Sequence, residues 1–211
     1  MPTSQTLDRR DFLIAVAAMS AVVLASNILV QYPVAYGALA DYLTWGAFSY
    51  PFAFLVTDLS NRRFGPARAR RVVYAGFVVA VALSAWLATP RIAIASGTAF
   101  LAAQLLDIAI FSRLRDRAWW LPPFASSVIS SALDTAIFFS LAFYCGTVPG
   151  LGATISDVLA QAGIADECVA LPWVSLAAAD YGVKLALAAL SIAPYGALLT
   201  VIQREQRLGV T

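Results

Sequence analysis

Six apolar runs, each close to the length of a bilayer-crossing helix, divide this chain: Phe12 to Tyr32, Leu43 to Leu59, Val72 to Ala88, Ile92 to Phe111, Pro123 to Cys145 and Val183 to Ile202. About 20 residues at ~1.5 Å each cross ~30 Å of hydrocarbon, so every run is near spanning length. A helical bundle follows, because an open sheet would leave backbone groups unpaired in lipid. Composition agrees: 61% of residues are hydrophobic, 12% are charged and the mean hydropathy is +0.78, far from the balance of a soluble domain. The expected fold is an all-α integral membrane protein, one domain over residues 1–211, with six transmembrane helices and an outer loop over 146–181.

Orientation is read from the arginines. Arg9 and Arg10 precede the first run, Arg62, Arg63, Arg68, Arg70 and Arg71 lie between the second and third, Arg113, Arg115 and Arg117 between the fourth and fifth, and Arg204 and Arg207 follow the sixth. The opposite side holds Arg91 alone, with Asp41, Asp157, Asp166 and Glu167 prominent there and Lys184 opening the sixth run. The positive-inside rule then places both termini in the cytoplasm, as an even helix count requires. The Arg9-Arg10 pair ahead of an apolar run has the look of a twin-arginine export signal, but a basic cytoplasmic flank explains it without export.

Polar residues inside the spans point to function. Asp134 sits in an apolar stretch from Leu121 to Phe143 with no other charge between Arg117 and Asp157. A charge at the bilayer centre costs roughly 2.5–3.5 kcal/mol on insertion scales, so such residues face the bundle interior and mark substrate or ion pathways. Ser126, Ser130 and Asp134 fall at i, i+4, i+8, flanked by Ser127, Ser131 and Thr135, which makes one stripe of the fifth helix polar. Gln104 and Asp107 share a face of the fourth helix in its cytoplasmic half. In the second run, Trp45 to Asp58, Pro51 removes a backbone bond and is expected to kink or break the helix in mid-membrane, a feature that recurs around transporter sites. Asp58 lies one turn before Arg62, and an interfacial salt bridge is the plain alternative to a functional role. Asn27 and Gln31 add amides near the outer end of the first helix. Asp180 and Lys184 form an i, i+4 pair at the sixth, with a snorkelling lysine as the alternative reading, and Pro194 reads as a second mid-span breaker.

Other chemistries find no support. The chain has no histidine, so imidazole-held zinc or haem is excluded and no metal or cofactor is expected. There is no nucleotide-binding motif and no Ser/His/Asp set. Cys145 and Cys168 both fall on the predicted outer side, where an oxidising compartment permits a bridge; two unpaired thiols are the alternative. Between them, Gly146, Pro149, Gly150 and Gly152 are loop-like, Ile155 to Ala162 suits a short amphipathic helix, and Trp173 to Tyr181 suits a second short helix at the interface. A lid over an outward cavity and an ornament without function are both compatible with this segment.

Carboxylates, amides and rings together suit a polar planar solute, and the residues alone carry the reading no further. Several blocks, however, resemble the queuosine-precursor transporters, also called the vitamin-uptake transporter family. They are Ser26-Asn27-Ile28-Leu29-Val30-Gln31, Trp45 to Phe52, Thr57-Asp58-Leu59, Arg62-Arg63-Phe64-Gly65, Gln104-Leu105-Leu106-Asp107, Phe111 to Arg115, Trp119-Trp120, Ser127 to Thr135, Asp180-Tyr181 with Lys184, and Pro194-Tyr195-Gly196. They cover about residues 25 to 200 in order and leave out 146 to 169.

The resemblance implies six helices in the inner membrane and import of 7-deazaguanine bases, the nitrile and aminomethyl precursors of queuosine and queuine among them, for tRNA modification. It implies no enzymatic role. Asp134 is the expected carboxylate for the pyrimidinone edge, Gln104 and Asn27 for carbonyl and ring contacts, and Trp45, Phe48 or Tyr50 for stacking. Asp107, Ser127, Ser130 and Lys184 complete the expected binding set, and Asp58 together with Asp107 is a candidate for coupling or gating. The expected partners are the small-molecule 7-deazaguanine and the bilayer, not nucleic acid, with a homodimer left open. Three other readings stand beside this one: a capture subunit served by a separate ATP-driven module, an intramembrane aspartyl hydrolase using Asp107 and Asp134, and a purely structural subunit.

Overall fold

A computed structural model describes residues 4–37, 43–166, 168–169 and 171–207; the acids Asp41 and Glu167 and the side chain of Arg207 lie outside the description. The elements are α1 (Ser4–Leu29), α2 (Gly46–Ser49), α3 (Phe52–Phe64), α4 (Pro66–Leu87), α5 (Pro90–Leu114), α6 (Leu121–Phe143), α7 (Ile155–Gln161) and α8 (Trp173–Arg207). Five of them, α1, α4, α5, α6 and α8, are long and apolar enough to cross a membrane. The chain is thus an all-α, multi-pass membrane protein. Its large exposed side chains, such as Ile14, Val78, Trp86, Leu190 and Val201, lie on these helices, where lipid is the solvent they suit.

The second expected span is the element that differs. Pro51 has no N–H to give to the Ala47 carbonyl, and the helix divides there into a single turn, α2, and the 13-residue α3. The break is tight. Tyr50 and Pro51 keep right-handed helical angles, and Ala53 and Phe54 donate only to the carbonyls three residues back, Tyr50 and Pro51. Gly46 allows α2 to lie against α1, since a Cβ there would come within 2.8 Å of the Val30 Cα.

Short joins fix the packing. Gly65, at φ +82° and ψ 172°, stands alone between α3 and α4 in a region open essentially to glycine, and Pro66 starts α4 where no N–H is needed. Ala88 and Thr89 join α4 to α5, with Thr89 capping the new helix through the Ile92 N–H. Neighbours in sequence are therefore antiparallel neighbours in space. The central element is α3, which packs against α1, α4, α5, α6 and α8. Met19, Val23, Ala53, Val72, Val73, Phe100 and Ile108 form the apolar core around it.

Two expectations about the C-terminal third are corrected. No separate interfacial helix covers Trp173 to Tyr181; these residues are the first turns of α8, which runs unbroken through Pro194. Membrane helices tolerate proline where neighbouring groups re-satisfy the freed carbonyl. The segment before α8 is fastened down. Cys145 and Cys168 are disulfide-bonded, with Cα atoms 5.6 Å apart. Arg91, 4% exposed, donates to the Leu141 and Tyr144 carbonyls at the end of α6 (2.8 and 2.6 Å), to Ser156 at 3.2 Å and to Asp166 at 2.9 Å. The one arginine on the expected outer face is thus paired with a carboxylate and spent on helix-end carbonyls that would otherwise lack donors.

Candidate functional site

Polar side chains enter this bundle at two levels. The upper level surrounds a cavity of about 500 Å³ between α1, α2, α4, α5, α6 and α8. Asp134 reaches it from α6, one helical face carrying it because Ser126 and Ser130 precede it at four-residue steps. Lys184 of α8 donates to Asp134 Oδ2 at 2.7 Å, to Thr135 Oγ1 at 3.0 Å and to Asp180 Oδ2 at 2.5 Å. Thr135 in turn donates to Asp180 at 2.8 Å. The hydroxyl of Tyr50, presented by the α2–α3 break, donates to the other Asp134 oxygen at 3.1 Å. Lys184 also lies 5.6 Å from the centre of the Tyr50 ring.

Lys184 is therefore not a snorkelling lysine. It is 4% exposed and tied to two carboxylates, the arrangement that lets an ionised lysine remain in an apolar bundle. Two acids against one base leave this level one negative charge in excess when all three are ionised. Asn27 lines the same cavity, its amide N–H held by the Val23 carbonyl at 2.9 Å and its oxygen by the Ser84 hydroxyl at 2.9 Å. Of the three expected stacking residues only Tyr50 lines the cavity; Trp45 is 42% exposed and tilts against Phe48, 5.8 Å away. The other rings at the wall are Phe100, Phe138, Phe139 and Phe143, which a reading of the sequence motifs passed over. Asp180 and Thr135 were also passed over as site residues, although the Asp180–Lys184 spacing and the adjacency of Thr135 to Asp134 held the signal.

The lower level is closed. Gln104, Asp107, Ser127 and Ser130, expected at the substrate, lie instead among α3, α5 and α6, away from the cavity wall and fully or nearly fully buried. Thr57 donates to Gln104 Oε1 at 2.5 Å and Ser126 to Asp58 Oδ1 at 3.2 Å. Asp58 and Asp107 face each other across the α3–α5 seam, between the Thr57–Gln104 contact and the bond from Asn61 to the Ile108 carbonyl at 3.2 Å. An Asp58–Arg62 salt bridge is not formed: Arg62 donates to the Tyr195 hydroxyl at 3.1 Å and the Arg115 carbonyl at 3.0 Å, with its guanidinium 5.3 Å from the Phe111 ring centre. Among the described residues four buried side-chain polar atoms have no hydrogen-bond partner, Gln104 Nε2, both oxygens of Asp107, and Ser130 Oγ. No cluster of three or more metal-ligating acids or thiols occurs among the described residues.

A polytopic helical bundle with a mainly apolar cavity that a buried carboxylate–lysine group enters, and with further carboxyls buried below it, has the build of a membrane transporter. The sequence matches the family described as putative vitamin uptake transporters over residues 44–89 and 83–198, and the chain belongs to that family. It is 35% identical to the "Queuosine precursor transporter" of Escherichia coli K12 over 87% of this chain and 84% of that protein. It is 34% identical to a "Probable queuosine precursor transporter" of Haemophilus influenzae over 90% and 87% of the two chains, and 28% identical to one of Bacillus subtilis over 78% and 75%. No solved structure matches.

Proposed function

We propose that this chain imports queuosine precursors, 7-deazaguanine bases such as the nitrile and aminomethyl compounds, across the inner membrane for tRNA modification. It does so with six passes, counting the broken α2–α3 element, and with both termini in the cytoplasm. The observation that carries the reading is the buried Asp134–Lys184–Asp180 group on the wall of a cavity of about 500 Å³. That volume lies in the range of small-molecule sites. A 7-deazaguanine offers adjacent N–H donors on its pyrimidinone edge, which one carboxylate can accept together, and a flat face for the phenylalanine rings.

In this reading Asp134 accepts from the base edge, with Lys184 and Tyr50 holding the carboxylate in place until the base arrives. Asn27 and Ser84 supply amide and hydroxyl contacts, and Asp180 is a second acceptor that suits an aminomethyl substituent. The test is Asp134→Asn, which keeps the volume and turns an acceptor into a donor. Losing a charge-assisted bond and stranding buried donors weakens binding by about a hundredfold, roughly 3 kcal/mol. In cells unable to make the precursor, queuosine in tRNA at limiting external precursor is expected to fall sharply at equal membrane levels of protein. Unchanged modification would remove Asp134 from the recognition site.

A further inference from the structure

The lower level is not explained by substrate binding. Asp58 and Asp107, 2% and 0% exposed, face each other across the α3–α5 seam, bracketed by the contacts of Thr57 with Gln104 and of Asn61 with the Ile108 carbonyl, and among the described residues neither forms a salt bridge. The basic groups of α3, and Arg115 just after α5, are engaged elsewhere. Arg62 is turned to Tyr195, Phe111 and a carbonyl, and Arg115 donates to the Asn61 and Arg62 carbonyls. Tyr195 of α8 is held by Arg62, and Arg63 takes up Asp11 of α1 at 2.8 Å. The chain of α4 carries no charge beyond Arg71, and α6 carries none before Asp134, only the hydroxyls of Ser126, Ser127, Ser130 and Ser131. Carboxylates buried together without a counter-charge repel one another, and sharing a proton relieves that repulsion.

A second observation shows a way in. Gln104 is fully buried, its carbonyl fixed by Thr57, and its NH₂ is left without a partner one turn above Asp107. Ser130 is likewise buried and unpartnered, and it stands midway between Ser126, which touches Asp58, and Asp134, which lines the cavity. Those three α6 residues span about 12 Å. Buried polar groups without partners are rare and call for an explanation. Here they form the steps between the upper cavity and the carboxyl pair. The levels are also mechanically joined, since α3 begins beside Tyr50, which bonds Asp134, and carries Asp58 two turns further on.

We propose that Asp58 and Asp107 form a proton-carrying site, filled from the upper cavity by way of Ser130 and Gln104, so that one proton enters with each molecule of substrate. The inference rests on the transport reading above. The steps descend from the cavity that takes the base, so proton and base arrive by the same route.

Purified protein in liposomes, with the membrane potential clamped, tests it using a labelled nitrile-bearing 7-deazaguanine. Three quantities are measured: exchange of label at equal pH on both sides, accumulation against an inward gradient of one pH unit, and acidification of an interior dye on adding substrate. The wild type is expected to exchange, to accumulate up to about tenfold, the limit for one proton per molecule at that gradient, and to acidify the interior. Asp107→Asn and Asp58→Asn are expected to keep exchange and to lose both accumulation and acidification. Wild-type exchange without acidification overturns the proposal while leaving transport intact, and so does accumulation that follows a sodium gradient instead. Variants that still accumulate the base when driven by the inward proton gradient also overturn it. Absence of wild-type exchange overturns the transport reading, and the proposal with it.

Discussion

The ammonium of Lys184 lies 2.7 Å from the carboxylate of Asp134, each side chain only 5% exposed, and the pair bridges α6 and α8 across fifty residues of sequence. Neither charge is tolerable there alone. Lys184→Met leaves Asp134 and Asp180 without a base, and breaking a buried pair from one side costs about 3–5 kcal/mol. The purified variant is expected to melt well below wild type. Adding Asp134→Asn to Lys184→Met removes one of the stranded charges and restores part of that loss, as thermal unfolding in detergent would show.

Orientation is checked by labelling. Because Cys145 and Cys168 are already joined, single cysteines can be introduced without altering them. Ala67→Cys at the start of α4 and Ala160→Cys on α7, both exposed positions, are expected to behave oppositely in intact cells. An impermeant maleimide reaches position 160 and spares position 67. The reverse pattern reverses the topology.

The fastening of the segment between α6 and α8 has two parts with separate signatures. Reducing the disulfide, which spans 23 positions, is expected to lower stability by about 3 kcal/mol on the chain-entropy view. Arg91→Ala removes four hydrogen bonds, among them those to two α6 carbonyls, and leaves Asp166 buried without its base. Limited proteolysis of detergent-solubilised protein is expected to cut within 146–172 far faster in Arg91→Ala than in wild type, even with the disulfide intact.

A pH effect is expected at α7. The Thr154 backbone N–H and hydroxyl both donate to Asp157 at 2.8 Å in a reciprocal cap, and these bonds hold its carboxyl below the usual carboxylate range. A group whose value is lowered on folding stabilises above its unfolded value and loses that contribution as pH falls through the folded one. Near neutral pH the amides of α7 are therefore expected to exchange faster in Asp157→Ala than in wild type, after correction for intrinsic rates. In acid, once the folded carboxyl is protonated, the two converge. A difference that persisted in acid would show that the charge is not what holds the cap.

Sequence and structure meet where the periodicity is strong and part where direction in space decides. The break at Pro51 was legible because proline lacks a donor, and the α6 stripe because Ser126, Ser130 and Asp134 repeat every four residues. Placing that stripe at one site failed: eight residues of helix cover about 12 Å, so Asp134 and Ser126 serve different levels. Gln104 and Asp107 followed the lower end of the stripe into the closed level. Trp45 and Phe48 lie off the cavity wall that Tyr50 lines, because the break at Pro51 sets which way α2 faces, and no spacing rule encodes that angle. The start of α8 was misplaced because charged Asp180 and Lys184 resemble an interfacial edge, whereas their charges are satisfied by α6. Pro194 has the same chemistry as Pro51 but sits in a long helix whose surroundings keep it continuous, which local sequence does not record.

The single-residue join at Gly65 leaves no slack between α3 and α4. The Asp58-bearing helix and the helix that carries Ala80 and Ser84 on the cavity wall are therefore pinned end to end, so a lower carboxyl and the mouth above sit on consecutive elements.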